Sequence, residues 1–387
     1  MSVSKKALKR NEYKLKGSLR KCGFDRWRYV FNAVNRASGD ERNFFIELSV
    51  LNPAVSPQAT VVYESQVEKL GESDLQAALS GNLDSQSSYS QTVPSYCCVR
   101  AGILGDRPRA LAKCFPCDEF VLQKNGFDVK VGECFFSDSD LSGLLTVTKD
   151  DLVKNPQPKS DAGRMVWDLK YRRVFDTKPV PAKNSVSWFA TGIYTEFSGT
   201  VSFDGVEYVV SPESSFGYTD KIWGSDIPFP FVHISCPRLT NVFTGRPMPD
   251  SGFAVEGEFD GNCASAAKFL GDEYSFGKGK KIKKFTSIWS CVRTPSNSGT
   301  EELHWSVSLN SKKYILDIDV FCDASEMIVK EYCMTRGHGE VLRVLGGASA
   351  MGEIRLYRQR RKTLELIQHA KISKAFAEYG EKDTLES

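Results

Sequence analysis

A chain of 387 residues, 41% apolar and 26% charged, has ordinary globular composition and room for two domains or one large β domain. A formal charge of +3 is too small to argue for nucleic acid, and no apolar run approaches the ~20 residues of a membrane-spanning helix. The basic N-terminus, MSVSKKALKRNEYKLKGSLRK, is not followed by the apolar stretch of a secretory signal, and the 11 cysteines lack framework spacing, so reduced thiols in the cytoplasm are expected.

In chain order, the dominant pattern is short alternating runs broken by turn residues. RNFFIELSVLNP (42–53), SYCCVRAGI (95–103) and GFDVKVGECFF (126–136) read as strands. Segments 72–93 and 148–163 are polar connections. GTVSFDGVEYVV (199–210) is a hairpin around Asp204-Gly205, with Val201 and Phe203 before the turn and Val206, Tyr208 and Val210 after it. HWSVSLNSKKYILDIDV (304–320) is a second hairpin, and MGEIRLYR (351–358) a late strand. Past Arg360, Ile372, Ala375, Phe376 and Tyr379 fall on one helical face with Gly380 as a C-cap, which predicts a terminal helix. Many strands at hairpin spacing and no βαβ rhythm predict an all-β barrel or sandwich.

FGYTDKIWGSD (216–226) carries the chemistry. If it is extended, Tyr218, Asp220 and Ile222 share one face, and Thr219, Lys221 and Trp223 share the other. An aspartate aimed into apolar surroundings loses hydration, its pKa rises, and it becomes a usable general acid that a neighbouring tyrosine can orient. The same residues equally fit a strand end in which the aromatics pack and Asp220 pairs with Lys221 or caps a turn.

This stretch resembles the signature of the tocopherol cyclases and their relatives, the carotenoid 1,2-hydratases (hydroxyneurosporene synthase type): tyrosine, any residue, an acid, a base, Asn and Trp-Gly. Tyr218, Asp220, Lys221, Trp223 and Gly224 match, and Ile222 replaces the Asn. WRYVFNAVNRASGDERNFFIELSVLNP (27–53) resembles the opening hairpin of the family, 199–210 the hairpin before the signature, and ASAMGEIRLYRQRR (348–361) its closing Gly-Glu strand. The resemblance implies two lipocalin-like antiparallel β-barrels around an apolar cavity. With the terminal periodicity, it divides the chain into a first barrel (1–226), a second barrel (227–360) and a C-terminal helix and tail (361–387).

It also implies a function: acid-catalysed cyclisation or hydration of an alkene in an isoprenoid or prenylquinol-type substrate, without metal or organic cofactor. Asp220 would be the acid and Tyr218 its partner, with Lys221 and Gly224 as structural members of the signature. Trp223, Trp188 and Trp167 are candidate substrate contacts, since aromatic faces stabilise a cation. His233, on an apolar strand just downstream, is either a core histidine or a second proton-handling group near Asp220, and joins those candidates. The alternative is a carrier that binds a hydrophobic ligand and leaves it unchanged.

Cys114-Phe-Pro-Cys117, with Cys97 and Cys98 upstream, lacks the second spaced pair of a four-ligand zinc site, and incidental thiols are expected. No GxSxG elbow and no phosphate-binding loop occur. The basic segment 271–284 and the arginines at 355–361 fit either solvated surface or peripheral contact with anionic lipid.

Overall fold

The computed structural model describes residues 9–62, 93–123, 127–154, 159–175, 180–181, 186–259, 261–277, 285–296, 299–337, 340–361 and 363–384. The polar segment 72–92 and the lysine-rich 278–284 lie outside them. Two antiparallel sheets make up nearly all of the rest. A 13-stranded sheet takes the strands from Phe24–Asn35 to Phe216–Gly224, and a 12-stranded sheet those from Phe231–Cys236 to Thr363–Thr384. They curve into a closed barrel and a half-barrel, the lipocalin-like all-β architecture that was expected.

The hairpin at 199–210 forms as its sequence dictates. Asp204 and Gly205 both take positive φ, at 47° and 83°, and strands Val186–Phe203 and Val206–Val210 pair on either side. Strands Glu301–Ser311 and Tyr314–Asp323 form the second predicted hairpin.

The terminal helix is corrected. Residues Thr363–Thr384 are a 22-residue strand paired along its length with Glu340–Arg360. Its periodicity misleads because both of its faces are covered. Ala375 and Ala377 enter the core of the second sheet, whereas Phe376 packs against Val30 and Phe45 of the first. Four consecutive buried residues, Ala375 to Glu378, erase the alternation that marks a half-exposed strand.

The interior of the first barrel is packed among the described residues. Trp27, Phe31, Phe44, Phe136 and Trp167 pack there, none more than 1% exposed to a water-sized sphere. Side chains fill that interior, as they do in small barrels. A second buried zone lies between the sheets, where Trp188, Tyr218 and Ile222 meet Phe231, Ala254 and Tyr332. Gly217 allows the close pairing of Phe24–Asn35 with Phe216–Gly224 within the first sheet, because a Cβ there would collide with the Val30 carbonyl.

Candidate functional site

The alternation along Phe216–Gly224 is as predicted, but the face that carries Asp220 points the other way. Its strand neighbour alternates between the barrel interior (Trp27, Tyr29, Phe31) and the zone between the sheets (Val30). Tyr218, Asp220 and Ile222 are the register partners of Val30, Arg28 and Arg26 and share their side. Asp220 therefore lies in the seam between the sheets, not in a barrel lumen.

The seam is built from two facing rows of charge. On the first sheet, Arg100, Glu47, Arg28 and Asp220 are successive cross-strand partners, so bases and acids alternate across four strands. On the second sheet, Glu256, His233 and Glu378 stand side by side on three strands. Arg26 and Lys330 complete the set, and every member is buried. Gly346 leaves room for Glu378, whose Cγ would lie 2.9 Å from a Cβ placed there.

Arg28 is the centre of this seam. Its guanidinium grips Asp220 through two nitrogens, with Nε 3.1 Å from Oδ1 and Nη2 on Oδ2, while Nη1 donates to Glu378. Nη2 also lies 3.2 Å from Glu256 Oε2 and 3.0 Å from His233 Nδ1. Asp220 Oδ2 accepts further bonds from Trp188 Nε1 and Tyr218 OH, each at 3.0 Å. Lys330 donates to Glu47 at 2.5 Å and pairs with Glu378, and Tyr332 OH donates to Glu47 at 2.7 Å. Such a network keeps its charges because each carboxylate meets a cation or a hydrogen-bond donor.

Burial and pairing pull individual groups in different directions. Burial opposes ionisation of Glu47, but Lys330, Arg26 and Arg100 outweigh it and hold the carboxyl well below its usual range. Glu256 is the exception: burial dominates the pull of Arg28 and Arg26 and raises it to about 7. Burial, then Arg28, pushes His233 well below its usual value, so the ring is neutral. Its Nδ1 lies 2.6 Å from Glu256 Oε2 and its Nε2 2.9 Å from Ser235 Oγ.

Asp220, His233 and Glu256 bring acceptor atoms within 4.8 Å of one another, a grouping that can hold a metal ion. Here Arg28 Nη2 lies within hydrogen-bond reach of all three, so the cation at their centre is the guanidinium. Cys97, Cys98, Cys114 and Cys117 form no disulfide and belong to no such group among the described residues.

A narrow cleft of about 30 Å³, the room of a single water, reaches the seam. Tyr218, Ser235 and Phe376 line its buried part, and Asn43 and Lys374 its rim. Lys374 bonds Glu41 across the sheets at 2.9 Å, with side chains 46% and 34% exposed. An exposed pair of this kind closes the rim only weakly.

Of the residues singled out by sequence, Asp220, Tyr218, Trp188 and His233 come together here. Trp167 does not: it is buried in the first-barrel core. Lys221 and Trp223 occupy the opposite face. Lys221 Nζ lies 2.8 Å from Asp25, 2.7 Å from the Glu12 carbonyl and 3.6 Å above the Trp27 ring. Gly224 ends the strand opposite Phe24 and Val186. Arg28, Glu47, Glu256, Glu378 and Lys330 were missed. Each was visible as a charge among apolar strand residues, as in RYVF, FFIEL, FAVEG, AFAEY and IVKEY, a placement that is expensive when buried unless the charge is paired.

The class of protein that fold and site define is an all-β, lipocalin-like assembly with a buried ionic seam. No family model and no curated protein matches the sequence. Among solved structures, kievitone hydratase from Nectria haematococca is similar over 98% of this chain and 96% of its own, at 10% identity and a TM-score of 0.45. A protein described as an AttH from Nitrosomonas europaea is similar over 92% of each chain, at 10% identity and a TM-score of 0.44. No helix among the described residues is long and apolar enough to cross a membrane.

Proposed function

We propose that this chain is a cofactor-free enzyme of the hydratase or cyclase type, which protonates an alkene in a lipophilic isoprenoid or prenylquinol-type substrate. The cation formed is captured by water or by an internal hydroxyl. The observation that carries the reading is a buried carboxyl, Glu256, held to about 7 and hydrogen-bonded to a neutral histidine beside an aromatic cleft. An acid with a pKa near the working pH is suited to proton donation.

Asp220 has a different part from the one its sequence suggests. Arg28, Trp188 and Tyr218 all donate to it, so it acts as an acceptor that orients the Tyr218 phenol and balances Arg28. The proton source is then Glu256, and the rings of Tyr218 and Phe376 flank the developing cation. The cleft must widen to take an isoprenoid chain, and the weak Lys374–Glu41 rim is where it opens.

Turnover of a prenylated quinol or linear isoprenoid alkene in D2O should place one deuterium on carbon in the product. Glu256→Gln should lower that rate about 100-fold or more while leaving binding nearly intact. Tight binding of the alkene with no labelled product would instead make the protein a carrier.

A further inference from the structure

One chain of hydrogen bonds joins the cleft to the seam. Ser235 lines the cleft, its Oγ contacts His233 Nε2 at 2.9 Å, and His233 Nδ1 contacts Glu256 Oε2 at 2.6 Å. The fold fixes this order. His233 and Ser235 are two apart on Phe231–Cys236 and share a face, and Glu256 is the cross-strand partner of His233 on Gly252–Phe259.

A neutral imidazole has one N–H and one bare nitrogen. Two oxygen or nitrogen acceptors 2.6 Å apart need a proton between them, and it can sit on either side. If Glu256 carries it, the carboxyl donates to Nδ1, and Nε2–H donates to Ser235 Oγ. If Glu256 is ionised, Nδ1–H donates to it, and bare Nε2 accepts from the Ser235 hydroxyl. The two arrangements differ by one proton on Glu256 and by the tautomer of His233.

We infer that Glu256, His233 and Ser235 form a proton relay that works by switching the tautomer of His233, with Ser235 as the group that meets the substrate. The identity of the proton acceptor rests on the alkene reading above; the switch itself does not. In the forward step the Ser235 O–H breaks as the new C–H bond forms. Ser235 Oγ takes the proton of Nε2, and Nδ1 takes the proton of Glu256. One positive charge appears on the substrate carbon and one negative charge on Glu256. Water adds to the cation, the oxonium proton goes to Ser235 Oγ, the proton that Ser235 took from Nε2 returns to Nε2, and the Nδ1 proton returns to Glu256. Water is the only co-reactant; in a cyclisation the substrate's own hydroxyl replaces it.

The surroundings favour a ring that stays neutral. Arg26 and Arg28 face it from Phe24–Asn35, Tyr218 and Asp220 from Phe216–Gly224, and Glu378 from Thr363–Thr384, with Lys330 behind Glu378. Burial and then Arg28 oppose an imidazolium, and burial favours the protonated Glu256.

The test follows the ring nitrogens of the full chain, labelled with 15N-histidine, from about pH 5 to about pH 9. Contacts with the rings of Tyr218 and Phe376, 5.2 and 5.6 Å away, identify His233. The expected result is an exchange of protonated and bare nitrogens near neutral pH, Nε2–H below and Nδ1–H above. A fixed tautomer, or a ring protonated on both nitrogens at low pH, overturns the relay. Ser235→Ala should keep the switch but lower deuterium transfer to the alkene about 100-fold, and Ser235→Thr should restore it. Full activity in Ser235→Ala removes Ser235 from the relay. A switching His233 in a protein that turns over no alkene leaves the relay standing and refutes the proposed function.

Discussion

The two faces of the strand Phe216–Gly224 each bury an ion, and they do so differently. Asp220 joins a seam in which four cations (Arg26, Arg28, Arg100, Lys330) face four carboxylates (Glu47, Asp220, Glu256, Glu378) across two sheets. One residue along, Lys221 has a single buried carboxylate, Asp25, with the carbonyls of Asn11 and Glu12 as its other acceptors. Burial lowers Lys221 to about 7 and raises Asp25 to about 6 against their mutual attraction. In the seam the balance reverses for Lys330, which Glu378 and Glu47 hold above its usual range despite burial. A lone buried pair is pushed toward its neutral form, whereas in the network several partners around one ion can outweigh burial, as they do at Lys330 and Glu47 and do not at Glu256.

The largest effect should come from removing the centre of the network. Arg28→Met leaves Asp220, Glu256 and Glu378 without their shared cation, a loss on the order of 4 kcal/mol or more. Lys221→Met leaves only Asp25, which can take up a proton, and should cost less than half as much. Urea unfolding of both variants measures the difference, and equal losses would break the contrast between network and pair.

Glu256 sharpens the comparison from within the seam, as a carboxyl that burial raises to about 7. Its folded pKa lies above its unfolded value of 4.5, so the native state keeps a proton that the unfolded chain releases. The contribution to stability is complete below about pH 4.5 and is lost as pH rises to about 7, amounting to about 3 kcal/mol. Glu256→Gln cannot show that loss. The stability gap between wild type and variant, from unfolding at the two ends of this window, should shift toward the variant by that amount. A gap that does not move with pH would mean that burial does not raise Glu256.

Local rules made much of the fold legible. Asp204-Gly205 demanded its hairpin, and alternation along Glu301–Ser311 and Tyr314–Asp323 marked a second. The strand Thr363–Thr384 escaped because two covered faces leave no period of two. The site was legible to a similar depth. Tyr218 and Asp220 could be put on one face, and Trp188 and His233 could be suspected near them. The direction of that face could not be read, since both sides of the strand are buried. The partners come from separate strands: Arg28 on one side, Glu256 and Glu378 on the other. Charges among apolar strand residues advertised that pairing existed, but only the register showed who pairs with whom.

The smallest expected effect concerns Ile222, the position where the stretch 216–226 departs from the signature it resembles. Ile222 lies opposite Arg26 in the register, and Arg26 Nε and Nη2 have no hydrogen-bond partner among the described residues. Cross-strand partners have Cβ atoms about 4.5–5.5 Å apart, so the side-chain oxygen of an asparagine at 222 can reach that guanidinium. An amide buried here would ordinarily cost more than a cavity, because its polar atoms lose water. With Arg26 as donor, Ile222→Asn should instead be more stable than Ile222→Ala by about 1 kcal/mol. That advantage should vanish when Arg26→Met is combined with each variant, a cycle that thermal unfolding can close. An advantage that survives Arg26→Met would assign the asparagine a different partner, and no advantage at all would mean that Arg26 is satisfied by its stacking on Phe231 and Tyr332. The departure from the signature is thus a statement about Arg26: with isoleucine opposite, this cation holds its place by aromatic faces and the pull of Glu256 rather than by a hydrogen bond across the strand pair.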